Sequence, residues 1–333
     1  MKTYLIIRLE TLGNVAMTVP VISSLSRRYP DDRFIVAAMK PLQDMFYGLK
    51  NVEYVEADYK QPRDLFRLMR QLRQIKADVV IDLQDRLNTR LLRWHLRLHG
   101  AHIVSVHYGR WLKRRLTLTG AKYHDALPSE FDRYCDAFRR AGLETDREFE
   151  AIKVNRTAKT KVKELFGERQ GSWVGVAPFA KSESNILPYK VTKQLILRLA
   201  ERPNTRVFLF GAGEVECEML RQWAGLHKQV ESVAGQLRLG EELELMRQLD
   251  YMICMDSANQ HLSSLVHLRA ISIWCGTHPK LGFMGWKQRE EDILQHQELA
   301  CRPCTMHGTN HCRFFNYACK QITAKQIIQH IYE

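Results

Sequence analysis

Residues Tyr4 to Pro20 read YLIIRLETLGNVAMTVP: an apolar run, a turn around Gly13, and the start of a helix that continues through VISSLSRRYP. Strand, glycine turn and helix in that order put backbone amides and one side chain at the mouth of a parallel sheet. Chemistry at such a mouth calls for a carboxylate. The residue after Gly13 is instead Asn14, whose amide has no basic lone pair at neutral pH.

Outward from this stretch the same alternation repeats. FIVAAM (34–39), VEYVEA (52–57), DVVIDLQ (78–84) and HIVSVH (102–107) are short runs with strand character, and helical patterns lie between them at Val19 to Tyr29, Pro62 to Ile75 and Leu87 to His99. Strands separated by crossover helices predict a parallel sheet. From about Ala126 to Phe166 the pattern is mostly helical, and a second alternation opens at WVGVAPF (173–179). It continues through RVFLFGAG, VESVAG, YMICMDS and AISIWCG, with helices at Lys190 to Glu201, from Glu214, at Gly240 to Leu249 and at Ala258 to His267. The expected fold class is therefore α/β with two Rossmann-like units: residues 1–150, a helical connection over about 151–170, and residues 171–333. A cleft lined by the carboxyl ends of both sheets is expected between them.

With 333 residues, 45% apolar and 26% charged, the chain is long enough for two cores. It lacks the run of about 18 apolar residues that a membrane span needs, and Arg8 and Glu10 break the first apolar run too early for a signal peptide. A cytoplasmic protein is expected. The net charge of +13 is uneven: Arg86 to Arg115 holds eight Lys or Arg, four His and no acidic residue, which predicts an anionic partner.

Arg86, Arg90, Arg93 and Arg97 recur at steps of four, three and four, forming one guanidinium stripe, with Leu87, Leu91 and Leu98 expected to turn towards the protein. With Lys113, Arg114 and Arg115 they would hold a phosphorylated or acidic glycolipid acceptor, or an anionic membrane surface. No recognised nucleic-acid module is visible, and nucleic acid is not expected as a partner.

In the second half, MDSANQHL places Asp256 after an apolar strand, Ser257 at an N-cap, and His261 about one turn into the following helix. The first amides of that helix, beginning at Ala258, would face a phosphate at the strand ends. FGAGEVECE lacks the full dinucleotide spacing but offers Glu214 and Glu216 to a ribose hydroxyl. APFAKSESNILP predicts a loop over the cleft, whose Lys181, Ser182 and neighbouring polar groups would meet the negative charge of a departing diphosphate. Cys135, Cys217, Cys254 and Cys275 read as buried hydrophobes. Cys301, Cys304, Cys312 and Cys319 crowd into one tail segment whose C-x-x-C opening suits zinc, with disulfides and free thiols as the alternatives.

The segments IIRLETLGNVAMTVPVISSLSRRYP, VVIDLQDRLNTRLLR, VGVAPFAK, MDSANQHLSSL and SIWCGTHPKLGFMGW, taken in order with the cysteine-rich tail, resemble glycosyltransferase family 9, the bacterial heptosyltransferases of lipopolysaccharide core assembly. The resemblance implies a GT-B fold, an acceptor bound mainly by the first domain, a nucleotide sugar such as ADP-heptose bound by the second, and inversion at the anomeric carbon without a catalytic metal. It also implies work on an acceptor at the inner membrane face. It assigns Asp256, Ser257, Ala258 and His261 to the donor's phosphates and sugar, the Glu214 to Glu216 region to the ribose, and Gly13 to the glycine of the first loop. Two positions depart from the family pattern. Asn14 stands where an aspartate base is typical, and Asn185 where a lysine is common. Either Glu10 replaces the base, or the chain transfers slowly with a different donor or acceptor, or it is an impaired or inactive relative that acts as a binding protein.

Overall fold

Apolar runs that continue across both faces of a strand become parallel sheets, because such sheets are covered by helices on each side. In chain order the elements are β1 (Thr3–Ile7), α1 (Leu12–Ala16), α2 (Val19–Arg28), β2 (Arg33–Ala38), β3 (Val52–Glu56), α3 (Pro62–Gln74), β4 (Val79–Asp82), α4 (Leu87–Leu98), β5 (His102–Ser105), α5 (Arg110–Thr119), α6 (Glu130–Arg140) and α7 (Arg156–Phe166). They continue with β6 (Ser172–Ala177), α8 (Tyr189–Ala200), β7 (Thr205–Leu209), α9 (Glu214–Ala224), β8 (Val230–Ser232), α10 (Leu239–Arg247), β9 (Tyr251–Met255), α11 (Ala258–Leu265), β10 (Arg269–Trp274), β11 (Ile293–Gln295) and α12 (Ala324–Tyr332). The structure is a computed structural model and describes residues 1–39, 41–57, 61–309 and 311–332.

Two compact units result: Met1–Tyr108 with Pro128–Val154, and Gly109–Leu127 with Asn155–Glu333. The first unit carries a five-stranded parallel sheet in the order β3-β2-β1-β4-β5. Leu5, Ile7, Ile35, Val80, Leu92 and Leu96 are fully or almost fully buried in its core, beneath α3 and α4. The strand order reverses between β1 and β4, so the loops after these strands share the carboxyl edge where open α/β sheets bind ligands. The second unit repeats the scheme with six parallel strands, β11-β10-β9-β6-β7-β8, and its reversal falls between β6 and β9.

Three features differ from the sequence expectation. Residues 109–127, read as part of the first half, belong by packing to the second unit. The Leu127 amide donates to the Lys280 carbonyl, the Ala121 amide to the Arg302 carbonyl, and Leu116, Ala121 and Leu281 form a small core of their own. These partners lie far away in sequence, where periodicity carries no information. The short edge strand β11 is too brief and too polar to announce itself. Beyond the cysteine-rich segment, where the sequence reading placed no helix, α12 packs on α8, burying Ala324 and Ile327.

Candidate functional site

In the second unit the chemistry gathers at the carboxyl ends of β6 and β9. Ser257 occupies the N-cap position of α11 in an extended conformation, and the amides of Ala258, Asn259 and Gln260 open the helix without intrahelical acceptors. No side chain caps them. The Ser257 Oγ and His261 Nδ1 are buried without a hydrogen-bond partner among the described residues. Burial pushes the His261 imidazole down to about 4, so it is neutral at neutral pH. Free amides, a hydroxyl and a neutral imidazole within about one turn form a recognition set for an anion, and the helix dipole adds about 0.3–1 kcal/mol to its attraction.

Asp256 is differently disposed from the expectation that it meets the donor. Its Oδ2 accepts from Thr277 Oγ1 at 2.5 Å and from Asn185 Nδ2 at 3.5 Å, while its Oδ1 accepts from Gln260 Nε2 at 3.0 Å. Burial pushes its carboxyl up to about 6, against the lowering effect of the Thr277 and Gln260 hydrogen bonds and the Arg302 charge. Asp256 thus ties three loops together at the mouth. Arg302 lies beneath them and is fully buried. Its guanidinium donates to four carbonyls, those of Trp274 at 2.9 Å, Cys275 at 2.5 Å, Thr277 at 2.7 Å and His296 at 2.9 Å.

Thr277, Gln260 and Arg302 were not singled out in the sequence. Gln260 follows Asp256 at the four-residue spacing that lets a first-turn side chain reach the cap, a usable signal. Thr277 follows a strand and Gly276, as Asn14 follows Gly13. Arg302 sits inside the C-x-x-C motif, whose cysteines drew the reading to themselves.

The loop after β6 is held down by the cysteine-rich segment. Ser182 Oγ donates to the His307 carbonyl at 2.8 Å, the Thr309 amide donates to Ser184 Oγ at 2.9 Å, and Lys320 Nζ donates to the Glu183 carbonyl at 2.7 Å. Gly276 and Gly308 make this approach feasible: a Cβ at Gly276 would lie 2.4 Å from Ser184 Oγ, and one at Gly308 2.7 Å from Ser182 Cβ. Of the expected donor-loop residues, Lys181 reaches solvent, Ser182 is bonded to the tail, and Asn185 is buried against Asp256. In the turn before α9, Glu216 accepts from the Ala212 amide at 2.9 Å, whereas Glu214 is exposed. Glu216 therefore braces the glycine turn and is fixed in place; Glu214 is not.

All eight cysteines are free thiols. Among the described residues no three His, Cys, Asp or Glu side chains form a group that could hold a metal ion, so Cys301, Cys304, Cys312 and Cys319 do not assemble the zinc site that their spacing suggested. Cys319 is buried, Cys304 and Cys312 are half-buried and Cys301 is exposed. Slight burial raises the Cys312 thiol, but hydrogen bonds from the backbone of Tyr317, Phe314, Asn316 and Phe315 outweigh this and lower it. Burial pushes Cys275 up to about 12. Native alkylation followed by mass spectrometry is expected to modify Cys312 and Cys301 first and to spare Cys254 and Cys275. Modification of Cys254 ahead of Cys312 would contradict this burial order.

In the first unit, Asn14 lies within α1, where the sequence suggested a glycine turn; it is half-buried, with no hydrogen-bond partner for its side chain among the described residues. Gly13 is buried in α1. Glu10 lies 3.3 Å from Arg86 and 3.9 Å from Arg8. Arg8 is itself buried, its guanidinium 5.9 Å from the Tyr108 ring centroid. Burial opposes its charge, yet Tyr134, Tyr108, Glu130 and Glu10 hold it above the ordinary arginine range. The Leu9 amide donates to Gln84 Oε1 at 2.8 Å, locking the β1 loop to the β4 loop.

The arginine stripe of α4 is less available than its sequence implied. Arg90 pairs with Asp85 at 3.2 Å, and Arg93 lies 3.1 Å from Asp85 and 3.4 Å from Asp82. With Arg86 on Glu10, three of the four stripe arginines turn back onto carboxylates supplied by the ends of β1 and β4. Leu87, Leu91 and Leu98 face solvent, contrary to expectation; the buried side of α4 is Thr89, Leu92 and Leu96. Lys113 is buried in the second unit, 4.3 Å over the Phe283 ring, while Arg114 is exposed.

Two Rossmann-like units, each a parallel sheet with a strand-order reversal at its carboxyl edge, make the GT-B class of fold. Residues 65–311 match the glycosyltransferase family 9 (heptosyltransferase) profile, and the chain belongs to that family. No curated protein matches the sequence. Among solved structures it is similar to the E. coli ADP-heptose lipopolysaccharide heptosyltransferase II, with 16% identity, 99% of this chain and 97% of that one covered, and a TM-score of 0.73. A family 9 glycosyltransferase from Veillonella parvula aligns at 15% identity over 99% and 96% of the two chains, with a TM-score of 0.76. E. coli heptosyltransferase WaaC with ADP aligns at 16% identity over 99% and 98%, with a TM-score of 0.67.

Proposed function

We propose that the protein transfers a heptose-type sugar from a nucleotide diphosphate to an anionic core saccharide or similar glycan at a membrane surface, with inversion at the anomeric carbon. The observation that carries this reading is the uncapped first turn of α11, with the unpartnered Ser257 Oγ and His261 Nδ1 beside it. These groups would hold the diphosphate as it leaves with the bridging electron pair, lowering the barrier by placing donors where charge develops. Lys181, exposed in the loop after β6, would supply the mobile cation, and Glu216 the ribose contact. ADP-heptose is the donor favoured by family membership, and WaaC, one of the similar solved structures, was solved with ADP.

Beyond the carboxyl end of β1, Asn14 of α1 would orient the acceptor hydroxyl and Glu10, in the preceding loop, would take its proton. Glu10→Gln is expected to lower turnover by about 10²–10⁴, while Asn14→Asp is expected to raise it. No response to either change removes this segment from the chemistry. The engagement of Glu10 by Arg86 and Arg8 favours one second reading, a relative that binds nucleotide sugar without turnover. Calorimetry with ADP and ADP-heptose, followed by product analysis with the better ligand, separates the two. Binding with turnover supports transfer, binding alone supports the second reading, and failure to bind either ligand rejects both.

A further inference from the structure

The solvent-facing side of α4 is apolar where an isolated globular surface would be polar. Leu87, Leu91, Trp94 and Leu98 follow steps of four, three and four and are 76%, 44%, 64% and 64% exposed. They form a continuous ridge on the side opposite the buried Thr89, Leu92 and Leu96. On neighbouring α3, Phe66 is 67% exposed. The two helices are in contact, and Arg73 of α3 lies 3.3 Å from the His99 ring at the end of α4. Cations surround the ridge. Arg63, Arg67 and Arg70 recur along the exposed side of α3, and Arg97 stands beside the ridge on α4. Among the described residues these four make no ion pair, unlike Arg86, Arg90 and Arg93.

We infer that this α3–α4 face docks the first unit on an anionic lipid bilayer, with Leu87, Leu91, Trp94 and Leu98 entering the headgroup boundary and the free arginines pairing with lipid phosphates. The inference rests on the membrane-surface acceptor proposed above and names the surface that reaches it. No helix among the described residues is long and apolar enough to cross a membrane. An exposed apolar ridge flanked by arginines fits an interface that accepts shallow insertion. A second copy of the chain would set the same uncompensated arginines against one another. A nucleic acid would pair with the arginines but would leave the leucine ridge in water.

Flotation of the full chain with phosphatidylcholine vesicles, with and without phosphatidylglycerol, tests this. The protein is expected to float with the anionic vesicles and much less with the neutral ones. Trp94→Ser with Leu98→Ser is expected to lower the anionic partition coefficient at least tenfold, and each of Arg63→Gln, Arg67→Gln and Arg97→Gln by about fivefold. Leu165→Ser with Leu226→Ser, which removes exposed apolar side chains of the second unit, is expected to change it by less than about twofold. Urea unfolding and far-ultraviolet circular dichroism of the Trp94→Ser, Leu98→Ser protein, matched to the wild type, report that the first unit is intact. Absence of flotation, equal flotation on neutral vesicles, or flotation indifferent to the α4 changes overturns the inference. So does salt-sensitive binding to RNA or DNA that the α4 changes abolish when vesicles are not bound. A wild-type chain that floats as expected but fails to bind ADP would reject the transferase reading and leave the docking face standing.

Discussion

Ala258→Asp is expected to weaken nucleotide-diphosphate binding by roughly a thousandfold without lowering the stability of the fold. Ala258 is the first residue of α11, half-buried, beside amides that no side chain caps. A carboxylate there would occupy the space offered to the diphosphate. It would also repel the ligand by about 4 kcal/mol per charge at a separation near 4 Å and an effective dielectric constant of about 20. For the folded chain alone the same charge sits at the positive end of a helix, where it contributes about 0.3–1 kcal/mol of stability. Ala258→Asn keeps the shape without the charge and is expected to cost much less affinity. Calorimetry with ADP gives the first quantity and urea unfolding the second. A protein that loses stability and affinity together would point to misfolding; one that binds ADP normally would remove α11 from the donor site.

Arg302→Met is expected to destabilise the second unit by about 3–5 kcal/mol, because four carbonyls lose a charged donor at once. The guanidinium is fully buried, and its four carbonyl partners come from the end of β10, the turn after it, and His296. Removing it leaves those carbonyls without donors, and an unsatisfied buried polar group costs about 1–3 kcal/mol. Lysine is not expected to rescue, because one ammonium cannot reproduce a planar fork reaching acceptors on several segments. Arg302 also lowers the Asp256 carboxyl, so its loss is expected to raise that group further and loosen the ties to Thr277, Asn185 and Gln260. Urea unfolding of the variant reads the effect, and a loss below about 1 kcal/mol would show that the four carbonyls find other donors.

The strands were legible because parallel sheets bury both faces, so YLII, VVI and YMICM appear as unbroken apolar runs. The α4 helix was legible as a helix but not in its orientation. Arginines at 86, 90, 93 and 97 and apolar residues at 87, 91, 94 and 98 share one spacing, offset by one residue, and periodicity does not say which stripe the sheet takes. The sheet takes neither: Leu92 and Leu96 fill the core. The carboxylates that neutralise the arginines come from Glu10, Asp82 and Asp85, outside the run in which the charge was counted. At the second mouth the cap and the exposed amides were readable from MDSANQHL, whereas the inward turn of Asp256 depends on Thr277 and Asn185, distant in sequence. Asn185 illustrates the gap most plainly: as a missing lysine it signals a lost charge, and in the fold it is a buried amide bonded to Asp256.

A crystal structure of the complete chain with ADP would decide whether α11 is the donor's anchor. The diphosphate is expected within hydrogen-bond distance of the Ala258, Asn259 and Gln260 amides, with Ser257 Oγ or His261 Nδ1 acquiring its missing partner. A diphosphate seated elsewhere, with those amides and side chains unchanged, would contradict the proposed donor site.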